Sequence, residues 1–255
     1  MNTPDFDGLV PDWPAPACVR ALCSTRSGGI SSGRYASLNL GLHVGDEPHA
    51  VTENRQRLQA AMGVRAVFLN QVHGSEMLAL DHATPDAQCA DGAFTTAAAL
   101  ACTVMVADCL PLLLCDSQGQ SVAAAHAGWR GLLGVSGKGI LEAAVATFDS
   151  PADGLLAWLG PCIGPQAFEV GDDVRAGFVG HAAQAAVCFT PLSPGKWLAD
   201  LPGLARQRLA AAGVHRIYGN DGSAPWCSVG NASRYFSHRR DAVSGRMAAS
   251  IWRVA

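Results

Sequence analysis

At 255 residues the chain has the length of one large α/β domain or two small ones, and 49% hydrophobic against 15% charged residues exclude a disordered protein. The formal net charge is −3 and the basic residues are scattered, which removes the electrostatic footprint of a nucleic-acid binder. Nine cysteines, odd in number and without a C-x-x-C pair, argue against a disulfide framework.

Met1 to Pro16 holds three aspartates and four prolines with no basic patch before an apolar core, so no secretory signal is read there and a cytoplasmic location is predicted. Val19 to Thr25 reads as a strand, followed by a Gly/Ser loop from Arg26 to Gly33. His49 to Met62 carries helical spacing, and Gly63 stands at the stop position. Strands are predicted at Ala66–Val72 and Glu76–Leu80. The longest apolar stretch, Ala97 to Cys115, is interrupted by Asp108 and Pro111, which fits two buried strands, Leu100–Val106 and Leu112–Cys115, and not a membrane helix. Gln120–His126 is a further strand, Leu132–Phe148 a helix, and Leu155–Leu159 a strand that ends in the turn Gly160-Pro161-Cys162-Ile163-Gly164. A helix at Leu201–Ala212 continues the alternation. The pattern predicts α/β or α+β, and without a linker or fixed-period repeat it predicts one domain over residues 1–255.

Three segments place metal-capable residues beside a glycine or proline at the ends of predicted strands: Asn70-Gln71-Val72-His73-Gly74, Ala107-Asp108-Cys109-Leu110-Pro111 and His126-Ala127-Gly128-Trp129-Arg130-Gly131. A strand end fixes the backbone and the glycine turns it sharply, so such positions aim side chains into a common cleft. Two imidazoles and one thiolate, from His73, His126 and Cys109, suit zinc, and three protein ligands leave a coordination position open for water or substrate. The competing reading makes each histidine a local hydrogen-bonding group and Cys109 a small buried hydrophobe.

These segments, with the G-P-C-I-G turn, the tail F-S-H-R-R-D and Gly245-Arg246, resemble the laccase-domain or YfiH family, and the match runs in order from Cys23-Ser24-Thr25-Arg26-Ser27-Gly28-Gly29 almost to the C-terminus. The resemblance implies an α/β/β/α layered fold with mixed sheets and assigns His73, Cys109 and His126 as zinc ligands and catalytic residues. It further implies purine nucleoside chemistry, namely phosphorolysis of adenosine, inosine or methylthioadenosine and deamination of adenosine, with nucleoside and phosphate as partners. Some bacterial relatives are tied instead to peptidoglycan editing, an amide hydrolysis on a serine-containing muropeptide precursor. A copper polyphenol oxidase, the literal sense of the older family name, is disfavoured: the chain has eight histidines and no H-x-H pair, although copper could occupy a His₂Cys site in vitro.

Around that centre Arg26 offers a guanidinium in a Gly/Ser loop for phosphate or carboxylate, against the alternative of a solvated turn arginine. Asn39 is a candidate to bond ribose or base, or to cap backbone. Gln71, two residues before His73 on a predicted strand, shares its face and reaches substrate or orients a neighbour. Asp108 should project opposite to Cys109 and orient another group. Arg239 either contacts phosphate or belongs to an ordinary ion-pair face with Arg240 and Asp241. His238 receives no role, and oligomeric state is left open.

Overall fold

The apolar runs at 100–106 and 110–116 form two strands in which every residue is buried, so both of their faces are covered. The structure, a computed structural model, describes residues 7–254; the first six residues of the segment read as lacking a secretory signal lie outside it. In chain order the strands are β1 Gly8–Leu9, β2 Val19–Ser24, β3 Arg65–Phe68, β4 Met77–Ala79, β5 Gly92–Thr95, β6 Leu100–Val106, β7 Leu110–Asp116, β8 Val122–Ala127, β9 Leu155–Leu159, β10 Glu169–Gly171, β11 Phe189–Ser193, β12 Lys196–Ala199, β13 Arg216–Gly219 and β14 Met247–Arg253. The α-helices are α1 Pro48–Met62, α2 Trp129–Leu133, α3 Ile140–Val145, α4 Asp172–His181, α5 Leu201–Ala211 and α6 His238–Asp241.

A five-stranded sheet runs β1-β2-β14-β6-β3 and a six-stranded sheet runs β13-β9-β7-β8-β5-β4, with β10-β12-β11 as a small third sheet. Both large sheets are mixed: β3 with β6, β4 with β5 and β13 with β9 are parallel, the rest antiparallel. Period-two alternation sorts their side chains into layers. Cys102 and Val104 of β6, Leu113 and Cys115 of β7, Val122 and Ala124 of β8 and Ile251 of β14 fill the space between the sheets. The alternate residues Leu110, Leu112, Leu114, Ala123 and Ala125 face outward onto α3, α4 and α5. On the opposite side Ala101, Met105, Ala248 and Trp252 pack against Leu58 and Met62 of α1. The result is the α/β/β/α layering with mixed sheets that the resemblance implied.

Helix α1 begins with Pro48 and ends where Gly63 takes a left-handed φ of 71° and returns its N–H to the Gln59 carbonyl, as the glycine signal predicts. The helix predicted over Leu132–Phe148 is a different matter. It is two short helices, α2 and α3, separated by a loop in which Gly134, Ser136 and Gly137 have φ of 65°, 50° and 76°. Those left-handed residues break the helical hydrogen-bond chain, and the apolar spacing that suggested one helix serves two pieces on one sheet face. The predicted strands at Ala66–Val72 and Glu76–Leu80 are shortened to β3 and β4, because Leu69 to Glu76 leaves the sheets to form the loop that carries His73. Nothing in the apolar pattern marked the short strands β10 to β13 or helix α4, half-exposed elements whose polar and apolar residues mix. No helix among the described residues is long and apolar enough to cross a membrane.

Leu113 lies wholly buried between the large sheets. Leu113→Ala is expected to lower unfolding free energy by about 2–5 kcal/mol, read as a reduced urea midpoint with an unchanged slope.

Candidate active site

Strand β6 belongs to one large sheet and β7 to the other, so the chain passes between layers at Ala107, Asp108 and Cys109. Asp108 makes the turn with φ 95°, which leaves Cys109 immediately before β7. On β8 His126 stands opposite Pro111 of β7. The loop after β3 brings in His73, itself left-handed at φ 63°. The structure therefore gathers three sequence-distant residues: the ligating atoms of His73, Cys109 and His126 lie within 4.8 Å of one another. The two imidazoles meet edge to face, with ring centroids 4.8 Å apart. His126 is buried, Cys109 half-buried and His73 exposed, so the trio opens on one side.

Asp91, which drew no attention in the sequence, organises this geometry. Its fully buried carboxylate accepts N–H bonds from Val72, His73 and Gly74 at 3.2, 2.8 and 2.6 Å. The same group bonds His126 Nδ1 at 2.9 Å, while the Asp91 carbonyl accepts the His126 backbone N–H at 2.7 Å. An ionised carboxylate only accepts, so it fixes a proton on Nδ1 and leaves Nε2 as the nitrogen turned to the centre. Burial alone would raise the Asp91 carboxyl, but the His126 bond and the amides outweigh it and hold the group below its ordinary value. Burial likewise opposes a Cys109 thiolate, yet the charges and hydrogen bonds of His126 and His73 prevail, and the thiol is held well below its ordinary 9.0. His126 is pushed up in return, its own burial overcome by Cys109 and Asp91. Soft thiolate, oriented imidazole and a partly open face fit zinc or a similar divalent ion.

Two glycines make the approach possible. A Cβ on Gly128 would lie 3.0 Å from both Cys109 Sγ and His73 Cδ2, and one on Gly131 would stand 2.6 Å from the Gly74 carbonyl oxygen. The G-W-R-G segment can therefore lie against the ligands only without side chains at these points.

The trio sits in a cleft of about 400 Å³ that also exposes His43, Gln71, Trp129, Phe168, Arg239 and Arg246. Arg239 lines it. Gln71 lines it too, but its amide is spent on Met105, accepting that residue's N–H at 2.7 Å and donating to its carbonyl at 2.8 Å. The strand predicted to carry Gln71 has ended, and the side chain replaces a backbone pairing, the neighbour-orienting role that the sequence also allowed. Asn39 lies outside the cleft and is wholly buried. Its Oδ1 accepts from the backbone N–H groups of Gly41 and Arg246, both at 2.9 Å, so it supports the Arg246 segment in the backbone-capping role that the sequence also allowed. Arg26 is also displaced from the centre. Its Nε donates to Ala36 and its Nη1 to Ala232 at 2.9 and 2.8 Å, which ties the loop across the chain and takes the guanidinium away from an anion role in this cleft. Asp108 orients other groups as read, accepting from Ser228 Oγ at 2.5 Å and the Arg239 backbone N–H at 2.7 Å. Arg130 and His238, which sequence reasoning left without roles, line the cleft, as does His43, whose imidazole is pushed down by desolvation and by Arg246 and Arg55.

The family model described as multi-copper polyphenol oxidoreductase laccase matches residues 20–254. The chain belongs to that laccase family. Among its relatives, a protein of Pseudomonas aeruginosa named purine nucleoside phosphorylase PA4543 is 48% identical over 245 residues, 96% of this chain and 97% of that protein. Purine nucleoside phosphorylase YfiH of Escherichia coli is 47% identical over 248 residues, 96% and 98% of the two chains. The crystal structure of Neisseria meningitidis protein NMB0706 superposes on this laccase-family fold with a TM-score of 0.90 at 45% identity, covering 97% of this chain and 99% of the other.

Asp91→Asn puts an amide NH₂ where one carboxylate oxygen meets N–H donors. Metal affinity, measured by chelator competition, should fall about 10- to 100-fold while the fold persists. In metal-stripped protein, the pH profile of Cys109 alkylation should have its midpoint well below 9.0, and Asp91→Asn should move it upward by weakening His126 as a cation; an ordinary thiol profile would contradict the coupling.

Proposed function

We propose that the chain is a zinc-dependent purine nucleoside enzyme of the cytoplasm. On this reading it phosphorolyses adenosine, inosine and S-methyl-5′-thioadenosine and also deaminates adenosine. The observation that carries the reading is the convergence of His73, Cys109 and His126 in a cleft of about 400 Å³. That volume suits a nucleoside-sized ligand, and Trp129 and Phe168 give the cleft flat apolar surface for a base. Relatives that share 47–48% of their residues with this chain carry the name purine nucleoside phosphorylase, which favours phosphorolysis as the principal activity.

His73, Cys109 and His126 would hold a zinc ion, which when bound would supply Lewis acidity toward an oxygen of water or substrate. Asp91 keeps the His126 tautomer fixed, and the His73 loop cannot relax while three of its amides are bonded to the same carboxylate. His43, held toward its neutral form, can exchange a proton with a bound base or sugar. In phosphorolysis an oxygen of hydrogenphosphate bonds to the anomeric carbon as the C–N bond breaks. The electron pair leaves with the purine nitrogen, the proton of hydrogenphosphate ends on the purine, and the second product is ribose 1-phosphate.

Amide hydrolysis on a serine-containing muropeptide precursor is the second reading, favoured by the same open donor trio. Copper polyphenol oxidation stays the weaker reading, since among the described residues a single three-donor group is found. Nine cysteines without a disulfide suit a reducing compartment.

Purified protein incubated with adenosine and phosphate is expected to yield adenine, ribose 1-phosphate and some inosine, and Cys109→Ala should lose metal and every product together. Absence of product above a metal-free control, alongside turnover of the muropeptide precursor, would replace nucleoside chemistry with the amidase reading.

A further inference from the structure

We infer that Arg130, Arg239 and Arg246 form an oxyanion clamp on the cleft and that its ligand is inorganic phosphate, an inference that rests on the reading of the cleft as phosphorolytic. The three come from separate segments, α2, α6 and the turn before β14, yet line the same cavity. Most of the other arginines near the fold's loops are committed. Arg26 and Arg206 cap backbone carbonyls, Arg208 pairs with Glu142 at 2.8 Å, and Arg240 pairs with Asp241 at 2.7 Å. The cleft arginines differ: among the described residues none of the three is within ion-pair distance of a carboxylate.

Their free donors are of the right kind. The Arg130 guanidinium makes no hydrogen bond within the described residues and lies over the Trp129 ring at 4.4 Å, a stacking that holds it flat and leaves its edges open. Arg239 lies 5.5 Å over the Phe168 ring and uses only Nη1, on the Glu169 carbonyl. Arg246 uses only Nη1, on Ser244 and Gly245, so its Nε and Nη2 remain unbonded.

Two of the three are also held in place from behind. Asp108 binds the backbone N–H of Arg239, and Asn39 binds that of Arg246. Asp108 is the carboxylate of the cleft lining, and both of its oxygens are occupied, by Ser228 Oγ and the Arg239 amide. Three guanidinium groups without carboxylate partners therefore outnumber the engaged Asp108 carboxylate and the Cys109 thiolate, and the cavity favours an anion.

Geometry selects among anions. A carboxylate presents two oxygens in one plane, which a single bidentate arginine satisfies. A tetrahedral phosphate presents oxygens in several directions and can engage guanidinium groups from separate segments at once. That argues for free phosphate over the carboxylates of a peptide-bearing substrate.

Calorimetric titration of inorganic phosphate into the purified metal-containing protein tests the clamp. Wild-type protein should bind phosphate, and Arg130→Ala should weaken the Kd at least tenfold. The phosphate KM should rise in step while the nucleoside KM changes less than threefold. Arg34→Ala, at an exposed arginine that shares a separate pocket with Arg26, should leave the phosphate Kd unchanged. The inference is overturned if wild-type protein fails to bind phosphate, if Arg130→Ala binds it as tightly as wild type, or if Arg130→Ala raises the nucleoside KM alone, which would mean the arginine grips the substrate. Arginine-dependent phosphate binding without ribose 1-phosphate formation supports the clamp and defeats the phosphorylase reading, so the two fail separately.

Discussion

The buried carboxylate of Asp91 is the constraint on which the site depends. It is wholly removed from solvent, and such a group persists as an anion only if its oxygens are filled by strong donors. Here the donors are the two parts of the centre that most need fixing: the amides of Val72, His73 and Gly74, which belong to an exposed loop, and the ring of His126. One charge thereby sets the path of the loop and the tautomer of the imidazole. The left-handed backbone of His73, unfavourable for a residue with a side chain, is tolerated because these bonds over-determine it.

Layering explains why the centre lies where it does. Two mixed sheets packed face to face must be joined by a chain that leaves one and enters the other, and the junction at Asp108 and Cys109 lies at their common end. The strand β8 beside it delivers His126, and the loop after β3, in the opposite sheet, delivers His73. Each donor is thus borne by a different part of the double sheet, which gives the trio a rigid frame and leaves its outer face to the cleft. Gly128 and Gly131 let the following helix close over this junction without displacing a ligand.

Electrostatics then divide the cleft. At its floor a depressed thiol, two imidazoles and a buried carboxylate suit a divalent cation, while along its walls arginines lack carboxylate partners. A cation held at that floor would be flanked by cationic walls, an arrangement whose mutual repulsion an entering anion would relieve. Asp108 serves both regions, since its backbone turns the chain to Cys109 and its side chain holds Arg239.

By itself the sequence determined the buried strands, the stop of the first helix, the three donor segments and the family. Apolar alternation, a glycine after the last helical turn, and rare residue types beside glycine are local signals that survive without partners in space. The same local signals misjudged Leu132–Phe148, where left-handed residues interrupt the helix, and they left open whether Arg26, Asn39 and Gln71 meet substrate or hold the protein's own backbone, which their side chains are seen to bond. An arginine in a Gly/Ser loop reads alike whether it faces an anion or a carbonyl from residue 232. Tertiary structure alone decided which polar groups are consumed by the protein and which are left for a ligand. It also singled out Asp91, one acidic residue among twenty-one, because burial against four distant N–H donors is a property of the packed chain and not of the neighbouring residues.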